Sequence, residues 1–189
     1  DLGELPEICL EACMAARNAG VMVSCDLNYR KKLWSREDAE HVMSSLAPLI
    51  DVCIANEEDA KDVFGIAAEN TDLEKGAIDS SSYLSVARQI AQRFGFSKVA
   101  ITLRESISAS ENNWAGMLYQ DGKAYFSCKY QMKIIDRVGG GDSFCGALIY
   151  ALVNGYDGQK AIEFAIAASC LKHTIEHDFN LVSIDEVEM

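Results

Sequence analysis

Apolar positions along the chain keep two alternating rhythms. From Glu7 to Ala19 they fall at helical spacing and stop at Gly20. Val21 to Cys25 is a short, mostly apolar run, the mark of a buried strand. Ser35, with Asp38 three residues on, opens a helix whose pattern fades before Pro48. Ile50 to Ala55 predicts the next strand. Asn56 then caps a helix that carries Glu57, Glu58 and Asp59 in its first turn and closes at Gly65. Asn70 to Ser82 is polar and reads as a loop, Tyr83 to Phe94 as a helix ended by Gly95, and Lys98 to Leu103 as a strand. Trp114 to Tyr119 and Lys123 to Tyr130 predict a hairpin across Gln120-Asp121-Gly122. Two helices follow, Asp142 to Asn154 and Gly158 to His173, and Ser183-Ile-Asp-Glu186 is a capping box opening a last one.

This alternation predicts an α/β fold with a mostly parallel sheet covered by helices on both faces. No internal repeat or low-complexity linker interrupts it, so residues 1–189 read as one domain. Composition narrows the function. Of 189 residues, 49% are hydrophobic and 24% charged, ordinary for a globular domain. A net charge of −12 argues against a nucleic-acid partner, which needs a basic surface. The longest apolar run, Ala161 to Leu171, is interrupted by Glu163 and too short to span a bilayer. The seven cysteines form no Cys-x-x-Cys pair and several lie in apolar runs, which fits free buried thiols in a cytoplasmic protein.

The most informative stretch is Asp136-Arg-Val-Gly-Gly-Gly-Asp-Ser-Phe144. Gly139, Gly140 and Gly141 let the backbone approach a ligand with no Cβ in the way. They precede a helix, whose first N–H groups and positive dipole end favour an anion. Asp142 beside such a cradle suits a general base for a hydroxyl attacking a bound phosphoryl group. The plainer alternative is a flexible turn with Asp142 as an ordinary N-cap. Asp26, Asn28 and Arg30 follow a predicted strand and alternate, so an extended segment would point them one way, where ligands of open α/β sheets bind. Arg30 offers a planar fork for a carboxylate or phosphate, and a polar connecting loop is the other reading. His173-Thr-Ile-Glu-His177 matches the His-x-x-Glu-His pattern of zinc hydrolases, with both histidines expected on one helix face.

The glycine stretch, with Gly146-Ala147 after it, resembles the C-terminal signature of the ribokinase-like (PfkB) carbohydrate kinases. The resemblance covers nearly the whole chain, as the family's C-terminal portion, with the N-terminal strands and the lid absent. It implies a ribokinase-like fold, an anion hole at Gly139, Gly140 and Gly141, and Asp142 as catalytic base. Arg137 stands at a signature position that is usually small. The run Asp26-x-Asn28-x-Arg30 followed by Leu33-Trp34 is similar to 2-keto-3-deoxygluconate kinases and bacterial fructokinases, which implies that Arg30 contacts a substrate carboxylate. Asn56-Glu57-Glu58-Asp59 resembles the family's Asn-x-x-Glu motif, implying a role for Asn56, Glu57 and Asp59 toward Mg²⁺ and phosphates through water, with Asp59 one methylene shorter than usual. Thr102-Leu103-Arg104 resembles the Thr-Leu-Gly segment near the nucleotide, Ala168 falls on the small-residue helix of the adenine pocket, and Asp178 falls near the site's mouth. The implied activity is ATP- and Mg²⁺-dependent phosphorylation of a sugar hydroxyl, foremost that of 2-keto-3-deoxygluconate, by a homo-oligomeric enzyme when full length. A fructokinase, a non-catalytic sugar- or nucleotide-binding regulator, and the zinc hydrolase are the rivals.

Overall fold

Helix starts show most directly how local sequence became structure. The computed structural model describes residues 3–66, 80–108 and 110–189. Ser35 Oγ accepts the Asp38 N–H at 3.0 Å and starts a helix at Arg36–Leu46. Asn56 Oδ1 accepts the Asp59 N–H at 2.8 Å and starts one at Glu57–Phe64, which ends on Gly65 at φ +67°. Asp157 caps Gly158–Lys172, and Ser183 with Glu186 completes the expected capping box before Ile184–Glu188.

The elements run α1 Leu5–Asn18, β1 Ser24–Asp26, α2 Arg36–Leu46, β2 Val52–Asn56, α3 Glu57–Phe64, α4 Ser80–Phe94, β3 Lys98–Ser106, β4 Glu111–Gln120, β5 Lys123–Phe126, β6 Tyr130–Lys133, α5 Gly140–Val153, α6 Gly158–Lys172 and α7 Ile184–Glu188. Strand order is β1-β2-β3-β4-β5, with β6 pairing β4. This is the expected α/β class, a mixed and mostly parallel sheet flanked by helices.

Contacts divide the chain into two compact units. The first holds α1 to α4, β1, β2 and the start of β3. Here β1 and β2 pair in parallel, Ser24 opposite Val52 and Asp26 opposite Ile54. Val52, Ile54, Val99 and Ile101 are buried, and Phe64, Phe94 and Phe96 form one aromatic cluster with Phe64 and Phe94 centroids 4.3 Å apart. The second unit holds the rest of β3, most of β4, β5 and β6, and α5 to α7. Phe144, Leu148, Ile162 and Ile166 fill its core. A Cβ on Gly116 would lie 2.8 Å from Ile166 Cδ1, so glycine lets α6 press onto β4.

Several expectations needed correction. β1 is short and starts at Ser24, while Val21 and Met22 are exposed rather than in a buried strand. The hairpin turn at Asp121-Gly122 is as read, both residues having positive φ. Its second arm ends at Phe126, however, and Tyr130–Lys133 is a separate strand running antiparallel to β4, Trp114 opposite Tyr130. The break has a cause: Glu163 takes the Cys128 N–H with its carboxylate at 3.0 Å, and that donor is lost to a ladder. The loop read from Asn70 lies outside the described residues as far as 79, and Ser80–Ser82 belong to α4. None of the seven cysteines is in a disulfide, but Cys9 and Cys128 are exposed and only Cys53 is fully buried.

Candidate active site

The glycine turn is best built from what each glycine forbids. Gly139 is the N-cap of α5 at φ +76°, a left-handed conformation that disfavours a side chain. A Cβ there would stand 2.5 Å from the Asp178 carbonyl oxygen, and one on Gly140 would fall on the His173 ring. A Cβ on Gly141 would meet nothing within 4 Å. Two glycines are therefore required by packing, and the third faces open space. Helix α5 begins at Gly140, two residues before the expected start, so Gly140, Gly141 and Asp142 form its first turn. The Gly140 N–H turns back to Arg137 O at 3.4 Å, and by position those of Gly141 and Asp142 have no acceptor within the helix. Gly139 carries no side chain to cap them. Asp142 is exposed beside them.

A network fixes this turn from behind. Ser169 Oγ donates to Gly140 O at 2.8 Å, and Ser143 Oγ donates to Ala168 O at 3.1 Å. Asp136 accepts the Val138 N–H at 2.9 Å and the His177 N–H at 2.8 Å. Those two N–H bonds hold its carboxyl below the usual range. His173 is buried, with Nδ1 2.7 Å from Ser169 O, so Nδ1 carries the hydrogen and donates. Burial pushes its pKa down, and it serves as a neutral platform under Gly140. Beside the turn a cavity of about 380 Å³ is lined by Asp142, Ser143, Ala147, Phe164, Ala168 and Asn180, among others. Asp178, exposed, borders it too, and Asn180 Nδ2 donates to Ser143 Oγ at 2.6 Å.

Thr102, Leu103 and Arg104 lie on β3 in the same unit, with Leu103 buried and Arg104 exposed. Arg137 Nη1 donates at 3.0 Å to Asn112 Oδ1 when that amide is turned to satisfy both of its ends, which holds the guanidinium near the turn. The zinc pattern does not survive. Helix α6 ends at Lys172, His173 is its buried C-cap, and His177 sits in a turn at φ +68°. The two rings no longer share a helix face. Among the described residues, no group of three or more His, Cys, Asp or Glu is arranged to hold a metal.

In the other unit, Asp26 ends β1 and Asn28 has φ +38°, so a left-handed residue interrupts the extended segment expected as far as Arg30. Asn28 donates its N–H to Asp26 Oδ1 at 3.2 Å. Asp26, Asn28 and Arg30 are all exposed, while Leu27 is buried. Asp59 holds this stretch: its Oδ1 accepts the Tyr29 N–H at 3.2 Å. It is 6% exposed, and burial raises its pKa to about 6 against the pull of the Tyr29 N–H bond. Asn56, exposed, spends its side-chain oxygen on the α3 cap, and the Glu57 side chain lies outside the described residues.

Residues 2–176 match the model of the pfkB family carbohydrate kinases. The chain belongs to this family. Among its pfkB relatives, it is 30% identical over 178 residues to a 2-dehydro-3-deoxygalactonokinase of Haloferax volcanii, covering 94% of this chain and 49% of that one. A 5-dehydro-2-deoxygluconokinase of Clostridium perfringens is 26% identical over 180 residues, with 93% of this chain and 48% of that one covered. The crystal structure of a Thermotoga maritima 2-dehydro-3-deoxygluconokinase superposes with a TM-score of 0.92 at 49% identity, covering 98% of this chain and 55% of that one. The chain thus spans about half the length of the relatives it matches. His173, Lys172 and Asn112 were missed as supports of the turn. In sequence a buried His or Lys near a helix end carries no signal, because its partners are backbone carbonyls supplied by folding.

Proposed function

We propose that the protein carrying this chain transfers the γ-phosphoryl group of ATP to a hydroxyl of a 2-keto-3-deoxy sugar acid, foremost 2-keto-3-deoxygluconate. One observation carries the reading: an exposed Asp142 in the first turn of a helix whose N-cap is a left-handed glycine with no side chain to close it. The Asp142 carboxylate takes the proton as the sugar oxygen forms its bond to phosphorus and the bond to the β-phosphate oxygen breaks, releasing ADP. The N–H groups of the first turn of α5 stabilise the charge on the transferring group. The cavity beside Ala168 suits the nucleotide's base, with Thr102, Leu103 and Arg104 on β3 as further nucleotide contacts.

Family membership supports the carbohydrate kinase, and likeness to the Thermotoga enzyme favours the sugar. Arg30, exposed and charged at the end of a tethered stretch, is suited to the acid's carboxylate. Magnesium is proposed as a passenger of the nucleotide, since it keeps several waters and one or two carboxylates suffice. Asp59 gives one carboxylate oxygen to the Tyr29 N–H, and a water-mediated contact from Asn56, Glu57 or the other Asp59 oxygen is the proposed link to the protein. The test is ADP release by the full-length protein with 2-keto-3-deoxygluconate, 2-keto-3-deoxygalactonate, fructose and ribose. Phosphorylation of the sugar acids alone is expected, with the gluconate form fastest. Equal rates on fructose would favour a fructokinase.

A further inference from the structure

Lys172 is completely buried, and the reaction above gives its charge no duty. It is the last residue of α6. Its Nζ donates to Ile175 O at 3.0 Å and His177 O at 2.6 Å. Burying an ammonium is costly, and an apolar side chain would fill the same space without that cost. The charge is met by the carbonyl end of α6, by these two carbonyls and by Asp136, whose carboxyl it helps hold ionised. Its stem runs directly behind the candidate anion hole: Lys172 Cε stands 3.3 Å from where a Gly139 Cβ would be. The loop that it grips, residues 175–178, also supplies the Asp178 carbonyl against Gly139 and the His177 N–H to Asp136. A cation caged by backbone carbonyls is the arrangement that also binds potassium or ammonium.

We propose that the Lys172 ammonium is a built-in cation, a positioning residue that sets the Gly139–Gly141 turn and biases it toward the transferring phosphoryl group, in place of a dissolved monovalent ion. This rests on the kinase reading. It acts through the turn and does not touch substrate.

The experiment uses the full-length protein with ATP, magnesium and 2-keto-3-deoxygluconate. Wild-type kcat is compared in tetramethylammonium chloride and in potassium chloride at equal ionic strength, and no difference is expected. Lys172→Met keeps the stem's bulk without the charge, and Lys172→Ala opens the space. In tetramethylammonium both are expected to lose kcat by about 10- to 100-fold, at or below the effect of removing one direct oxyanion donor, with sugar KM little changed. Adding ammonium or potassium should restore most of the lost kcat in Lys172→Ala and none in Lys172→Met. The proposal is overturned by a wild-type enzyme that needs added potassium, by wild-type kcat in Lys172→Ala, or by a loss there that no monovalent cation repairs, which is the mark of a purely structural lysine. The wild-type arm decides even where a variant fails to fold. A wild type without any sugar-dependent ADP release fails the kinase reading instead.

Discussion

The N-termini of α3 and α5 carry the same dipole and lead to opposite outcomes. At α3, Asn56 is extended and its side chain takes the Asp59 N–H, so the helix end is closed from within. At α5, Gly139 is left-handed with no side chain to cap the turn, only the Gly140 N–H bonds back to Arg137 O, and Gly141 faces open space. The first helix start spends a side chain on its own donors, and the second leaves the N–H groups of Gly141 and Asp142 to the proposed ligand. The acidic residues differ in the same way. Asp59 is buried and tied to Tyr29, while Asp142 is exposed. A helix N-terminus is thus a ligand site only where its own side chains decline to satisfy it.

The sharpest way to break this comparison is Asp142→Asn in the full-length enzyme. It should lower kcat by about 10²–10⁴, the scale of general acid–base catalysis, with the nucleotide's KM little changed. Steady-state kinetics that return wild-type kcat would remove Asp142 from the chemistry. Gly139→Ala attacks the cap itself. At φ +76°, with the Asp178 carbonyl oxygen 2.5 Å from the new Cβ, it should cost about 1–3 kcal/mol in chemical denaturation and lower kcat as well. Unchanged stability would mean that the turn is not under the constraint described.

Two smaller changes probe the closed end. Asn56→Ala should destabilise by about 1 kcal/mol, whereas Asn56→Asp keeps the cap and most of the stability. An equal loss in both variants would show that the cap oxygen is not what closes α3. Asp59 gives a pH signature. Its pKa is raised from 3.8 to about 6, so the folded form binds more protons across that window. Its contribution is present below pH 4 and lost as pH rises through 6. Asp59→Asn should therefore gain on the wild type by about 1–2 kcal/mol between pH 4.5 and 7.5. Urea midpoints at the two pH values check this, and an advantage that shrinks toward pH 7.5 would reverse the assigned sign.

Much of the architecture was legible because its causes are local. Caps at Ser35, Asn56 and Ser183, the left-handed Gly65 and the Asp121-Gly122 turn are each decided by a few adjacent residues, and all formed as read. The misses were non-local. Tyr130–Lys133 became a strand because β4 offered it a partner, and the Asp26–Arg30 stretch bent because Asp59 drew in the Tyr29 N–H. Neither partner is visible from spacing along the chain.

The same division runs through the candidate site. Sequence alone determined the glycine run, the carboxylate after it and the helix that follows, since backbone freedom and apolar periodicity are properties of neighbouring residues. Tertiary structure decided which glycine faces open space, that His173 lies under Gly140, that the two histidines of the metal-like pattern part company, and that the Lys172 ammonium is caged behind the turn. Each of these depends on α6 and the loop after it meeting the start of α5. Contact between segments thirty or more residues apart is set by packing, which no local rhythm encodes.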